Sequence, residues 1–534
     1  MYVATIPNRT SPPAILIRES YREGDTIKSR TIANITRWPK QRIEVLKGLL
    51  RGDFDKAMPD DEVAKQGKAI GALFTLREVS KKIGLDSILG RTDRGRRALL
   101  LVFARLMIQG SRLKAARWAE EEAIEETLGM DEVDEDDLYD VLDWLSANQE
   151  KMEKRLFHAR HVAPPALFLY DVTSSYLEGE QNELADYGYN RDKKRGKKQI
   201  VIGLLADPEG DPVAVRVFEG NTADQNTVEE QIKTLTTSFG VTEVVLVGDR
   251  GMLKKPQIES LPEGFRYITA ITKPQIRSLL GKGILQMDLF EDSLAEVVHE
   301  KIRYILRRNP ERKKEIEQNR EAKTKRIHAF VTEKNTYLAD HPKADPKIAQ
   351  RDIDEKIKRF NVDAWIKAVR EGRVFHLTID EDARGEETLL DGCYVIKSDV
   401  PEAIADKDAL HERYKDLALV EQDFRDMKTA CLEVRPVYVR KEKRTRGHVF
   451  VVMLALILKR HMERLLEAAY GKRRPAVSEA LRALDRLCLQ ERDVEGIPFR
   501  YIPIPDERQS AYLTALGVTL PKRLIGQKRH THVT

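Results

Sequence analysis

Two aspartates stand where apolar runs give way to polar residues. In "ALFLYDVTSSYL" the run Leu167 to Tyr170 leads into Asp171, and in "EVVLVGDRGM" an apolar strand closes on Asp249, with Gly251 just beyond. Alternate side chains of a strand share a face, so Leu167, Leu169, Asp171, Thr173 and Ser175 line one side. The apolar members bury, and the carboxylate emerges where polar residues take over. In sheets with parallel strands, ligand sites lie beyond the carboxyl ends of the strands. If these two strands are neighbours, their aspartates face each other at one edge. Either aspartate alone could be a strand terminator or a helix cap. Two carboxylates held close repel unless something cationic neutralises them. All-oxygen ligands favour Mg²⁺ or Mn²⁺ over zinc.

A third carboxylate comes from "RYKDLALVEQDFRDMKTACLEVRP", in which Tyr414, Glu421 and Lys428 are spaced by seven and seven. Seven residues are close to two helical turns, so the spacing predicts that the three share one helix face, with Asp416, Asp423 and Asp426 pointing elsewhere. The competing reading is an amphipathic helix with solvated charges.

These residues need elements to hold them. At 534 residues the chain is long enough for two to four domains. Charged residues make up 34% and hydrophobic ones 41%, which suits a globular protein, and the net charge of +5 barely argues for nucleic acid. The distribution says more: an acidic "DEVDEDD" at 131–137 contrasts with "RDKKRGKK" at 191–198 and "RKEKRTR" at 440–446. The cysteines, Cys393, Cys431 and Cys488, are too far apart for a disulfide framework or a zinc knuckle, which fits a reducing compartment. The N-terminus has no signal-peptide apolar region. The longest apolar run, "VFVVMLALIL" at 449–458, reads as a buried core helix, being about half a membrane span.

Residues 1–58 read as a short β-rich segment and 59–163 as helical. At 164 the period changes. Strand-like runs and helices follow in the order β-β-β-α-β-α-β to 274, with "DPEGDP" at 207–212 as a hairpin signal. Such an order makes a mixed sheet with helices packed on it. Residues 275–398, largely charged helix, read as an insertion. Residues 399–470 return to the core, and 471–534 form a C-terminal segment ending in "QKRHTHVT".

The motifs "YDVTSSY", "GNTADQNT", "VGDRG" and Y-x6-E-x6-K together resemble the DDE transposases of bacterial insertion sequences, closest in type to insertion-sequence family four. The likeness covers roughly 165–460. One position departs: where that family's last motif has Arg, this chain has Leu417, so Arg413 or Arg425 is the candidate for its phosphate contact. The resemblance implies an α/β protein with an RNase H-like catalytic core, a mixed five-stranded sheet with flanking helices interrupted by an insertion, plus a helical N-terminal domain. It implies two Mg²⁺ (or Mn²⁺) ions about 4 Å apart, with Asp171 bridging both and Asp249 and Glu421 on one each. The resemblance further implies that water attacks at the element's end and frees a 3′-hydroxyl, which then attacks target DNA. Tyr414 and Lys428 would hold a nearby phosphate. The implied partners are double-stranded DNA, as terminal inverted repeats and target, and a second copy of the chain on the DNA ends. The implied location is the bacterial cytoplasm, at the nucleoid.

The basic runs fit a DNA path through Lys193, Lys194, Arg195, Lys197 and Lys198, and through Arg440, Lys441, Lys443 and Arg444. Lacking interleaved aromatics, they read as backbone contacts, which give affinity without sequence choice. Reading the terminal repeats then falls to the helical region 59–163, although it contains no clear helix-turn-helix and its acidic face cannot lie on DNA. Trp365, the one Trp of the insertion, reads as core rather than as a base-stacking residue. His158 and His161 lack nearby partners for a metal site. A nuclease that does not join strands and a catalytically silent DNA-binding protein are the alternatives.

Overall fold

The computed structural model describes residues 1–8, 12–51, 65–179, 181–192, 194–429, 432–435, 437–494 and 497–521; Lys193 and Cys431 lie outside them. The chain divides into two compact units, one of residues 1–78, 119–131 and 469–534, the other of 79–118 and 132–468.

In the first unit, strands β1 (Tyr2–Ile6), β2 (Ala14–Glu23) and β3 (Thr26–Asn34) form an antiparallel sheet in chain order, followed by a helix over Lys40–Arg51. Gly24, with φ of 64°, supplies the left-handed residue of the tight β2–β3 turn. A second small sheet pairs β4 (Lys65–Ala69) with Cys488–Val494, and that strand with Ile497–Tyr501.

The second unit is built on one large sheet. Its strands are β5 (Leu167–Tyr176), β6 (Gln199–Ala206), β7 (Pro212–Phe218), β8 (Val244–Gly248), β9 (Phe265–Ala270), β10 (Ala295–His299), β11 (Ile302–Arg308) and, after the separate hairpin β12 (Ile366–Glu371) and β13 (Val374–Ile379), β14 (Cys393–Ser398). The order across the sheet is β10-β11-β14-β9-β8-β5-β6-β7. β5, β8 and β9 run parallel; every other pairing is antiparallel. β6 is buried along its whole length and β5 everywhere except Asp171 and Tyr176, which is why both read as nearly continuous apolar runs. The predicted hairpin joins β6 to β7. The Asp207 carboxylate accepts from the Asp211 N–H at 2.8 Å, and Gly210 sits at φ 77°.

The sheet corrects the expectation of five strands: it has eight. β7-β6-β5-β8-β9 are the expected five. β14, β11 and β10 come from the segment read as an insertion and continue the sheet. β14 pairs with β9 from Ile396↔Ala270 to Ser398↔Ile268, covering an edge that would otherwise be open. Only the middle of that segment stands apart. The helices Pro310–Asp340 and Pro346–Arg359 and the β12–β13 hairpin share a core that includes Ile327, Ile353, Trp365 and Phe375.

The helical stretch 59–163 forms no unit of its own, since its described residues are shared between the two units. The helix Asp93–Met107 is buried from Ala98 to Leu106, so it is a core helix and not an amphipathic surface one. The helix Glu442–Tyr470 is buried continuously from Gly447 to Lys459, as its apolar run predicts. Among the described residues no helix is long and apolar enough to cross a membrane.

Candidate active site

The two aspartates meet through strand register. β5 and β8 are parallel neighbours, with Leu169 opposite Val247 and Tyr170 opposite Gly248. The next step of the same register sets Asp171 beside Asp249, on strands about 4.8 Å apart. Asp171 is not at the end of its own strand, which runs on to Tyr176. Its carboxylate reaches the surface because β8 stops at Gly248. The chain then turns at once, the Met252 N–H bonding back to the Asp249 carbonyl at 3.0 Å.

The third carboxylate arrives on the helix Leu417–Lys428, which packs on β5. This helix does not include Tyr414. A preceding helix, Lys407–Lys415, ends at Asp416, so the single face expected through Tyr414, Glu421 and Lys428 is divided between two helices. Tyr414 nevertheless stays at the site. Its hydroxyl hydrogen-bonds Asp249, and burial together with that carboxylate pushes its pKa upward. Lys428 turns elsewhere: its Nζ lies 3.0 Å from the buried Asp192 carboxylate.

Asp171, Asp249 and Glu421 line one cleft of about 240 Å³, with Arg191, Asp224, Val172, Thr173, Met252 and Phe424. Burial raises the Asp171 carboxyl to about 7; the Val172 N–H, 2.8 Å from Oδ1, opposes the rise, Asp249 and Glu421 add to it, and Arg191 counters it. Four carboxylates and one guanidinium therefore share the cleft. That surplus of hard, anionic oxygen fits a divalent cation. Among the described residues no three His, Cys, Asp or Glu side chains gather closely enough to hold one ion together.

Three residues here escaped the sequence reading as site residues. Arg191 belongs to a basic run, yet its guanidinium lies 2.5 Å from Asp224 inside the cleft, and its backbone N–H donates to the Ser174 hydroxyl at 2.9 Å. Asp224 belongs to "GNTADQNT", so the motif was visible but its role was not. Asp192 accepts from Lys428, from Arg435 at 2.5 Å and from the Tyr176 N–H at 3.1 Å, tying the end of β5 to the end of the Glu421 helix.

The remaining predicted DNA contacts lie outside the cleft. Lys194 and Arg195 are exposed, Lys197 pairs with Glu178 at 2.8 Å, and Lys198 lies over the Tyr187 ring at 5.8 Å. Arg440, Lys441 and Lys443 are exposed, while Arg444 pairs with Asp143 at 3.2 Å. Arg425 is exposed and donates to Gln422 at 3.0 Å, Arg413 pairs with Asp416 at 3.4 Å, and Leu417 is buried. Trp365 is core, and His161 bonds Asp207 at 3.2 Å.

Residues 163–458, more than half of the chain, match the family described as "Transposase DDE domain", and residues 3–65 match "IS1634 family transposase, N-terminal domain". No curated protein matches the chain. Among solved structures, one described as "Cryo-EM structure of piggyBac transposase synaptic complex with hairpin DNA (SNHP)" is similar at 10% identity and a TM-score of 0.36, over 78% of this chain and 75% of that one.

Proposed function

Because this chain belongs to the family of transposases with a DDE domain, we propose that it cuts the ends of an insertion sequence and joins them to target DNA, with Asp171, Asp249 and Glu421 as its catalytic carboxylates. The observation that carries this reading is the convergence of the three, from two parallel strands and a packed helix, on one cleft. The strand order β7-β6-β5-β8-β9, with the first three antiparallel and the last three parallel, supports an RNase H-like core. The finer likeness to insertion-sequence family four rests on the Tyr414, Glu421 and Lys428 spacing alone. The N-terminal match is to the IS1634 family, which supports an insertion-sequence transposase of that kind.

Asp171, Asp249 and Glu421 would hold Mg²⁺ or Mn²⁺. Such ions, when bound, supply activation of the attacking oxygen and stabilisation of the leaving one. The chain's own groups do the positioning. Arg191 is a planar donor suited to a phosphate oxygen in the cleft. The Tyr414 hydroxyl steadies the Asp249 carboxylate. Asp192 fixes the far end of the Glu421 helix through Lys428. The exposed basic residues of 194–198 and 440–444 would follow the DNA backbone on two copies of the chain, one per end.

The test is Mg²⁺-dependent nicking and joining of a duplex bearing the element's terminal repeat, identified as inverted repeats in the DNA flanking the gene. Wild-type protein should nick and join; Asp171→Asn should bind the duplex and do neither. Nicking by pure Asp171→Asn protein would overturn the assignment. Nicking without joining would favour the nuclease alternative.

A further inference from the structure

The ends of an element must be recognised, and the helical stretch 59–163 offers little with which to do it. The positive charge of the chain lies elsewhere. Residues 1–51 hold ten Lys or Arg and four Asp or Glu, a net +6, against +5 for the whole chain. This segment folds as β1–β3 and the helix Lys40–Arg51.

Within it the β2–β3 ribbon is bare. Every residue from Ser20 to Ile32 is exposed, through one strand, the turn and most of the next, with Ile27 at 77%. A two-stranded ribbon uncovered on both faces is marginal in water by itself. Its two faces differ. Residues opposite each other in an antiparallel pair share a face. One face pairs Glu19 with Arg30, Tyr21 with Lys28 and Glu23 with Thr26. Its charges are already spent, since Arg30 bonds Glu19 at 2.7 Å and Lys28 pairs with Glu23. The other face pairs Arg18 with Thr31, Ser20 with Ser29 and Arg22 with Ile27, and carries no acid. Among the described residues neither of its arginines has an acidic partner; Arg18 reaches only the Ser29 carbonyl, at 3.5 Å.

We propose that this acid-free face of the β2–β3 ribbon enters the major groove of duplex DNA and reads the terminal repeat. The inference rests on the transposase reading above. A two-stranded ribbon fits the roughly 12 Å major groove. The residue types match what base edges offer: Arg for the O6 and N7 of guanine, Ser and Thr for any base, and the methyls of Ile27 and Thr31 for the thymine methyl. The opposite face, with Tyr21 and its internal ion pairs, stays toward solvent.

The experiment measures the affinity of the full chain for two duplexes at one fixed salt concentration, one bearing the terminal repeat and one its scrambled sequence. Arg22→Ala should weaken binding to the repeat by roughly ten- to a hundredfold and to the scrambled duplex by no more than about threefold. Methylation of a guanine N7 in the repeat should interfere with wild-type binding and not with Arg22→Ala. Tyr21→Ala, on the other face, should leave the ratio unchanged. Arg22 is exposed, so its loss does not threaten the fold. Equal losses on both duplexes would make the ribbon a backbone contact and overturn base reading; no loss on either would make it solvated surface. In both cases a wild type that still cuts the repeat in Mg²⁺ leaves the transposase reading intact. A wild type that neither prefers nor cuts the repeat overturns both.

Discussion

The Asp171→Asn variant should be inactive in Mg²⁺ and yet, stripped of divalent cations, more stable than the wild type. Asp171 sits half-buried beside Asp249 and Glu421, and burial first, then those two charges, lift its carboxyl from 3.8 to about 7. A raised carboxyl means that the folded state binds a proton more tightly than the unfolded chain. Stability therefore falls as pH rises from about 4 to about 7 and stays at the lower level above that. A rise of about three pH units corresponds to a penalty of about 4 kcal/mol at pH 8 as an upper bound, about 2 kcal/mol at pH 5 and almost none at pH 3. Asparagine carries no charge, and its amide oxygen can keep the 2.8 Å bond from the Val172 N–H. The variant should thus gain up to that amount over wild type at pH 8 in EDTA, with the gap closing as pH falls. Saturating Mg²⁺ should narrow the gap at pH 8, because a ligand at a hundred times its dissociation constant adds about 2.7 kcal/mol to a protein that binds it. Urea unfolding followed by tryptophan fluorescence is a suitable assay, since Trp118, Trp144 and Trp365 all lie in the unit that contains the cleft. A gap that does not change between pH 4 and 8 would refute the electrostatic reasoning, as would a variant less stable than wild type at pH 8 in EDTA.

Asp192→Asn should lower stability by about 3 kcal/mol, because it leaves Lys428 and Arg435 beside a neutral group in a site where the Asp192 side chain is 2% exposed; urea midpoints within error of wild type would show that the contact is dispensable. Because Lys428 ties the end of the Glu421 helix to Asp192, Lys428→Ala should loosen the placement of Glu421 and slow single-turnover cleavage of the terminal-repeat duplex roughly ten- to a hundredfold, whereas Lys415→Ala, which removes only an exposed pair with Glu412 at 3.0 Å, should not; equal rates would make the Lys428 tie dispensable for placing Glu421. Neutralising Lys194, Arg195, Lys197 and Lys198 together should weaken binding to all duplexes alike and flatten the dependence of log affinity on log salt, and an unchanged slope would make that loop solvated surface.

Much of the candidate site was legible because its carboxylates sit on regular elements. A carboxylate directly after four apolar residues stands out in any strand, and Glu421 lies on a helix as expected, although not on one face with Tyr414 and Lys428. The break at Asp416 was not legible, since Asp is tolerated in a helix and nothing near it is Gly or Pro. The roles of Arg191 and Asp224 were hidden for a different reason. Their ion pair joins positions 33 apart, and a basic run looks the same in sequence whether one of its members turns inward or not.

The sequence by itself determined the periods of the most regular segments: the five strands from 167 to 270, the hairpin turn between the second and third of them, and the buried helix through 449–458. These depend on neighbours along the chain and on burial of apolar faces, and both are written locally. Tertiary structure alone decided the partners. Whether β9 is an edge or an interior strand depends on β14, more than a hundred residues later, and pairing there made the sheet eight strands wide. Asp171 is open to the cleft because its parallel neighbour ends one residue short of it. Lys428 is held by Asp192, 236 positions away in the chain. Such choices follow from which surfaces meet when the chain closes, and no local pattern of residues encodes them.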